Sequence, residues 1–389
     1  MEKNNFCILP FVSIEADPMG KCKVCCLSYE TIPDIDLKKN TLSEAFNSSY
    51  MNNLRQSFLN NEKPANCNRC WSEEASGRTS KRMHSHARLR EILGDTKFTH
   101  SADGSLMFID LKLGNICNLK CRICGSYSSS KWAQEEIDIY TGNQTAKDNL
   151  EKGRWPRESK RFWEDLTHLL ATSKYFEFTG GEPFLIDEHF TLLEIAVEMG
   201  FAKDIEIHYN TNLTTFPKRG LEIWPHFKLV EIAVSVDDIG PRFEYQRYGA
   251  SWDKAMDNLQ RLRDLRSAST NIKLQLCSTI NVQNFYYIDE MCEWIFQQKF
   301  NYVYFNVLHD AWHFSISRLN DTAKELINSK FKAYVGPYSS EVTNLLLFMN
   351  QGEGSDCKKL VQTLKNSDIQ RKQKFSDHHS EIAAAIGYE

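Results

Sequence analysis

Long apolar runs are missing from this 389-residue sequence. No stretch of about 18 apolar residues occurs, which argues against a membrane-spanning helix. The longest candidate, near Leu345–Met349, is far too short. The opening segment, MEKNNFCILPFV, lacks a basic start leading into an apolar run. It does not read as a signal peptide, and a cytoplasmic location is the expectation. A strong basic tract is also missing. The 47 basic and 51 acidic residues give a formal charge of −4, a balance that disfavours a nucleic-acid partner. Collagen-like periods, heptads and short tandem repeats are absent too. Hydrophobic residues make up 41% and charged residues 25%, values that suit a folded globular protein. The length allows one large α/β barrel with additions, or two domains.

Cysteine is plentiful. Twelve are present, and nine of them (Cys7, Cys22, Cys25, Cys26, Cys67, Cys70, Cys117, Cys121 and Cys124) fall in the first third. A disulfide framework suits a small secreted domain, not a chain able to bury a large core. Ordinary core cysteines would not cluster in this way. Thiolate ligation of metal is the better reading for most of the nine.

Three regions follow along the chain. The first is cysteine-containing and irregular, with one clear helix. Thr41 and Glu44 have the spacing of a capping box, and Ala45, Phe46, Tyr50, Leu54 and Phe58 share an apolar side. The segment from Ser76 to Arg90 reads as a charged helix. The second region alternates six short apolar strands with helices. Those strands span Leu106–Gly114, Tyr175–Gly181, Asp204–Asn212, Leu229–Asp237, Asn271–Ile280 and Asn301–His309. Gly200 marks a helix end. Such alternation implies a parallel sheet with right-handed crossovers. Six units imply an α/β fold with an incomplete parallel (β/α)6 TIM-like barrel, although an open doubly wound sheet fits the pattern as well. The third region reads as a helical extension that packs against the rest, with His378–His379 on its surface.

The sharpest motif is LGNICNLKCRICG, which places Cys117, Cys121 and Cys124 as C-x3-C-x2-C directly after the first strand. Three thiolates on a tight loop can hold three irons of a cubane and leave the fourth open. Gly180, Gly181, Glu182 and Pro183 follow the second strand as GGEP. Together these motifs resemble the radical S-adenosylmethionine (SAM) superfamily. The resemblance implies a [4Fe–4S] cluster on the three cysteines. It also implies that GGEP contacts the amino group of bound SAM and that Asn210, Ser235 and Asp237 lie at the cofactor. Asn212, Asn306 and His309 also sit at strand ends, and Arg247 is placed to pair with a carboxylate. A departure is Ile123, where many members carry an aromatic residue before the third cysteine. The implied activity is cleavage of SAM to a 5′-deoxyadenosyl radical that takes a hydrogen from substrate. No residue is singled out as catalytic beyond the cofactor sites.

The earlier cysteines resemble a SPASM/twitch-like auxiliary extension, here placed before the barrel rather than after it. The resemblance implies a second [4Fe–4S] cluster on Cys7, Cys25, Cys67 and Cys70. Cys22 or Cys26 could replace one of these, and a four-cysteine zinc site is the competing account. The expected domains are 1–100 for the auxiliary region, 101–310 for the radical SAM barrel and 311–389 for the helical extension. The auxiliary centre is expected near the active end of the barrel. Relatives of this kind imply a peptide or protein substrate and a one-electron donor such as flavodoxin or ferredoxin. The alternatives are a dehydrogenase or epimerase of a carbohydrate-like or nucleotide-linked small molecule, and a non-catalytic iron–sulfur electron-transfer or scaffold protein.

Overall fold

The computed structural model describes residues 5–75, 79–93, 105–139, 142–308 and 311–388. Among these the strands are β1 (Ser13–Ala16), β2 (Cys22–Lys23), β3 (Phe108–Lys112), β4 (Lys120–Cys121), β5 (Tyr175–Thr179), β6 (Glu206–Thr211), β7 (Leu229–Ser235), β8 (Arg247–Tyr248), β9 (Ile272–Ile280) and β10 (Tyr302–Val307). The six strands expected from the alternation are all present, each trimmed at one or both ends. They build a mostly parallel central sheet, so the α/β class with partial-barrel connectivity holds.

The chain forms two compact units. One comprises Met1–Cys117, Ser126–Tyr209 and Pro217–Glu231, and the other comprises Asn118–Gly125, Asn210–Phe216 and Ile232–Glu389. Strands β6 and β7 begin in the first unit and finish in the second.

In the first unit the strand order is β2-β1-β3-β5-β6. Strand β1 runs parallel to β3 and pairs it from Ser13↔Phe108 to Ala16↔Leu111. Strand β2 returns antiparallel against β1. The first region thus contributes a strand to the sheet, which its irregular sequence did not suggest. Strand β5 shows why the sheet buries one face so well. Phe176 and Phe178 alternate with Tyr175, Glu177 and Thr179, and the two phenylalanines are fully buried. Phe178 packs at 4.9 Å on His189 of the helix Asp187–Glu198. Each such burial is worth roughly 2–3 kcal/mol. That helix ends at Glu198, and Gly200 follows it in the left-handed region at φ 75°. The capping box at Thr41 and Glu44 forms in both directions. The helix it starts, Leu42–Phe46, is short, and Ser48 caps a new one over Ser49–Leu59. A further helix covers Lys81–Leu93.

In the second unit β9 and β10 pair in parallel from Gln275↔Tyr302 to Ile280↔Val307. Strands β4 and β8 form a separate two-stranded ladder. The C-terminal region is helical as read, over Asp321–Phe331, Ser339–Gln351, Lys358–Arg371 and Ser380–Ile386. His379 is not on the surface. It is fully buried and stacks on Phe375 at 4.5 Å, because the turn before Ser380–Ile386 folds it under the last helix. Among the described residues no helix is long and apolar enough to cross a membrane.

Candidate functional site

Strands β3 and β5 are parallel neighbours, so the loops after them leave the same edge of the first unit's sheet. Cys117 lies on one loop and GGEP on the other. The two loops are hydrogen-bonded backbone to backbone. The Gly181 amide donates to the Gly114 carbonyl at 3.0 Å, and the Glu182 amide to the Ile116 carbonyl at 2.8 Å. This approach requires glycine. A Cβ on Gly180 would lie 2.7 Å from the Gly114 carbonyl oxygen, and one on Gly181 would lie 2.3 Å from that of Ile116. Gly180 also has φ 117°, a conformation side chains avoid. Glu182 is 1% exposed, and its carboxylate accepts the Phe184 amide at 3.2 Å. Pro183 begins the short turn that follows. The Cys117 amide donates to the Ser130 hydroxyl.

The second unit carries Cys121 and Cys124. Cys121 lies in β4, opposite Arg247 in β8. A hydrogen bond from Cys124, and then the Arg247 charge, draw the Cys121 thiol below its ordinary value, although burial opposes them. Arg247 pairs with Asp237 at 2.8 Å. The other Asp237 oxygen accepts the Thr279 amide at 2.8 Å. Thr279 is in turn opposite Asn306 in the β9–β10 register. Asp237 therefore links the Arg247 guanidinium beside the cysteines to a neighbouring strand end. Asn210 lies near the finish of β6, and Ser235 is the last residue of β7. Asn212 donates to the Asn118 side chain at 2.9 Å and accepts from Thr214, which also accepts from Asn118. His309 lies outside the described residues.

Two parts of this arrangement were not read from the sequence. Asn118 and Thr214 form one, and only the proximity of Asn118 to the cysteines hinted at it. The other is Arg122, between Cys121 and Cys124. Its guanidinium lies 3.6 Å over the Tyr245 ring and donates to Asp368 at 2.7 Å and Gln373 at 2.8 Å. Asp368 also accepts from Tyr245, Tyr388 and the Phe375 amide.

Four of the earlier cysteines gather within the first unit. Cys7, Cys25, Cys67 and Cys70 line one pocket, partly open to solvent, with Leu9, Phe58 and Trp71. Cys22 and Cys26 do not line it. Burial, then Cys25, pushes the Cys7 thiol well up. Burial also raises Cys25 and Cys67 to about 12, with the neighbouring thiols Cys26 and Cys70 adding to the effect. Such thiols ionise only with a cation among them, so the donor set fits a thiolate-bound metal group. The position differs from the expected one. Leu9–Val12 leads into β1 from its starting end, and β2 brings the chain back towards that end before Cys25. The pocket therefore lies towards the start of β1, whereas Cys117 and GGEP follow the finishing ends of β3 and β5.

Residues 111–294 match the family model described as the Radical SAM superfamily. No curated protein matches the chain. Similar solved structures include anSMEcpe with bound AdoMet and the Cp18Cys peptide, at 13% identity over 58% of each chain and a TM-score of 0.39. Streptococcus suis SuiB bound to S-adenosylmethionine is similar at 15% identity over 71% of this chain and 52% of that one, with a TM-score of 0.37. SuiB bound to its precursor peptide SuiA is similar at 14% identity, over 78% and 64% of the two chains, with a TM-score of 0.36. The chain thus spans little more than half the length of the first two of these. The segment that matches the Radical SAM model, 184 of the 389 residues, contains Cys117, Cys121, Cys124 and the GGEP motif.

Proposed function

We propose that the protein abstracts a hydrogen atom from a peptide or protein substrate, with Cys117, Cys121 and Cys124 holding the cluster. When bound, the cluster and SAM together supply the 5′-deoxyadenosyl radical for that step. The chain's own residues position the cofactors. The observation that carries this reading is the pair of backbone hydrogen bonds tying GGEP to the start of the cysteine loop. They present the buried Glu182 carboxylate, which can pair with an ammonium group, beside the first ligand. Asp237 holds Arg247 against Cys121. Ser235 and Asn210, at strand ends, are assigned to the cofactor's polar groups. The peptide class rests on the SPASM/twitch-like order of the first four pocket cysteines.

Cys7, Cys25, Cys67 and Cys70 are assigned to a second [4Fe–4S] cluster. A tetrahedral zinc ion would draw four sulfurs to about 2.3 Å from one point. The iron and zinc content per chain separates the two accounts. The pocket's place towards the start of β1 supports a bracing role for the first region. Anaerobic reconstitution should give about eight irons per chain, and about four in the Cys117/Cys121/Cys124→Ala variant. That variant should form no 5′-deoxyadenosine. Deuterium moving from a labelled peptide into 5′-deoxyadenosine would identify the substrate class. Reductive cleavage of SAM by the triple variant would refute the assignment.

A further inference from the structure

Beside the pocket of Cys7, Cys25, Cys67 and Cys70, ionisable side chains gather on one face of the first unit's sheet. Register sets Glu15 of β1 opposite Asp110 of β3, and Asp110 opposite Glu177 of β5. Three carboxylates therefore form one row across three strands, and adjacent strands are about 4.8 Å apart. Lys112, two residues after Asp110 and on the same face, binds Glu15 Oε1. Lys81 places its ammonium 2.9 Å from Cys26 Sγ and interacts with Asp110 and Glu177. One ligating atom each from Glu15, Cys26 and Asp110 lie within 4.8 Å of one another.

Two oxygens in this cluster have no hydrogen-bond partner. They are Glu15 Oε2 and Asp110 Oδ1, both buried, and Glu15 as a whole is 0% exposed. A buried carboxylate oxygen without a donor is costly, which points to a group that would complete it. Charge gives the same indication. The carboxylates of Glu15, Asp110 and Glu177 outnumber the ammonium groups of Lys81 and Lys112 by one. Cys26 Sγ, held 2.9 Å from the Lys81 ammonium, adds a sulfur donor to the carboxylate oxygens. A thiolate among carboxylates selects a transition metal over magnesium or calcium.

We propose that Cys26, Glu15 and Asp110 form a mononuclear site for a divalent, thiolate-accepting transition metal such as zinc or ferrous iron. The Cys26 proton leaves to solvent on binding. Three protein ligands leave a fourth position for water or a substrate group. Lys112 holds Glu15 by one oxygen and turns the other to the metal, and Lys81 donates to the bound sulfur, which is how outer-shell partners usually orient ligands. The site is distinct from the neighbouring pocket, because Cys25 faces the pocket and Cys26 does not. It does not depend on the radical chemistry.

The test uses full-length protein with its clusters reconstituted anaerobically, freed of loose metal by chelator and titrated with Zn²⁺. About one zinc per chain should bind beyond the cluster iron and persist in excess Mg²⁺. Zinc-edge X-ray absorption should show one sulfur with oxygen neighbours. Glu15→Gln and Asp110→Asn should each weaken zinc binding at least about tenfold while iron and sulfide stay unchanged. No zinc uptake, unaltered uptake in both variants, or a zinc bound by sulfur alone would each overturn the proposal. The wild-type spectrum decides the matter even if a variant folds poorly.

Discussion

At the scale of single residues, burial sets the protonation of groups remote from the cofactors. His189 is fully buried, with Nδ1 2.5 Å from the Ile186 carbonyl oxygen and Nε2 3.1 Å from the Tyr209 hydroxyl. Burial lowers its pKa from the ordinary 6.5 to about 3. The unfolded chain therefore takes up this proton first. The stability that His189 contributes is complete above about pH 6.5 and is lost as pH falls towards 3. The slope is about 1.4 kcal/mol per pH unit for one proton. Unfolding by denaturant at pH 7.5 and 5.5 should show this loss in the wild type, and a smaller one in His189→Gln. Equal losses would mean that the ring is not buried neutral. His379, buried beneath the last helix, shifts in the same direction.

At the scale of elements, the joined loops after β3 and β5 admit no Cβ. Gly181→Ala would place a methyl 2.3 Å from the Ile116 carbonyl oxygen, and the partner there is backbone, which cannot swing away. We expect the loop holding Cys117 to shift. Reductive cleavage of SAM should fall at least about a hundredfold, in line with misplacement of about 1 Å at a reacting centre. Auxiliary iron should be retained. Normal cleavage in Gly181→Ala would show that the loops do not need this approach. Here the sequence was informative, because the glycines, the acid and the cysteines are local signals attached to apolar strands. Strand β1 was not legible for the converse reason. It is four residues long, carries Glu15 in its middle, and finds its partner β3 more than ninety residues later. Cys25 and Cys26 likewise look alike in sequence, and only their three-dimensional neighbours separate a pocket thiol from one beside carboxylates.

At the scale of the whole molecule, distant segments of the chain meet around Arg122. Asp368 is 246 residues away and accepts hydrogen bonds from Arg122, Tyr245, Tyr388 and the Phe375 amide. The pair is almost wholly buried. Removing one partner of a buried pair costs about 3–5 kcal/mol. Asp368→Asn should therefore lower the melting temperature and reduce iron at the Cys117–Cys121–Cys124 cluster, measured against the auxiliary cluster as an internal standard. Equal occupancy of both clusters would confine Asp368 to packing. Neither composition nor periodicity in the C-terminal region showed this contact. Its helices read as a plain extension because a single aspartate in an amphipathic helix carries no local mark.

The Arg122–Asp368 clamp also bears on the order in which the protein matures. The thiols of the auxiliary pocket are all made by residue 70, and the helix that closes over them by residue 93. That pocket can fold before the residues beyond it are translated, since N-terminal parts of a chain fold first. The other cluster's loop is translated soon afterwards, yet its clamp waits for Asp368, Phe375 and Tyr388. The ligands of the first pocket are thereby in place before the partners of the Arg122 clamp have been translated.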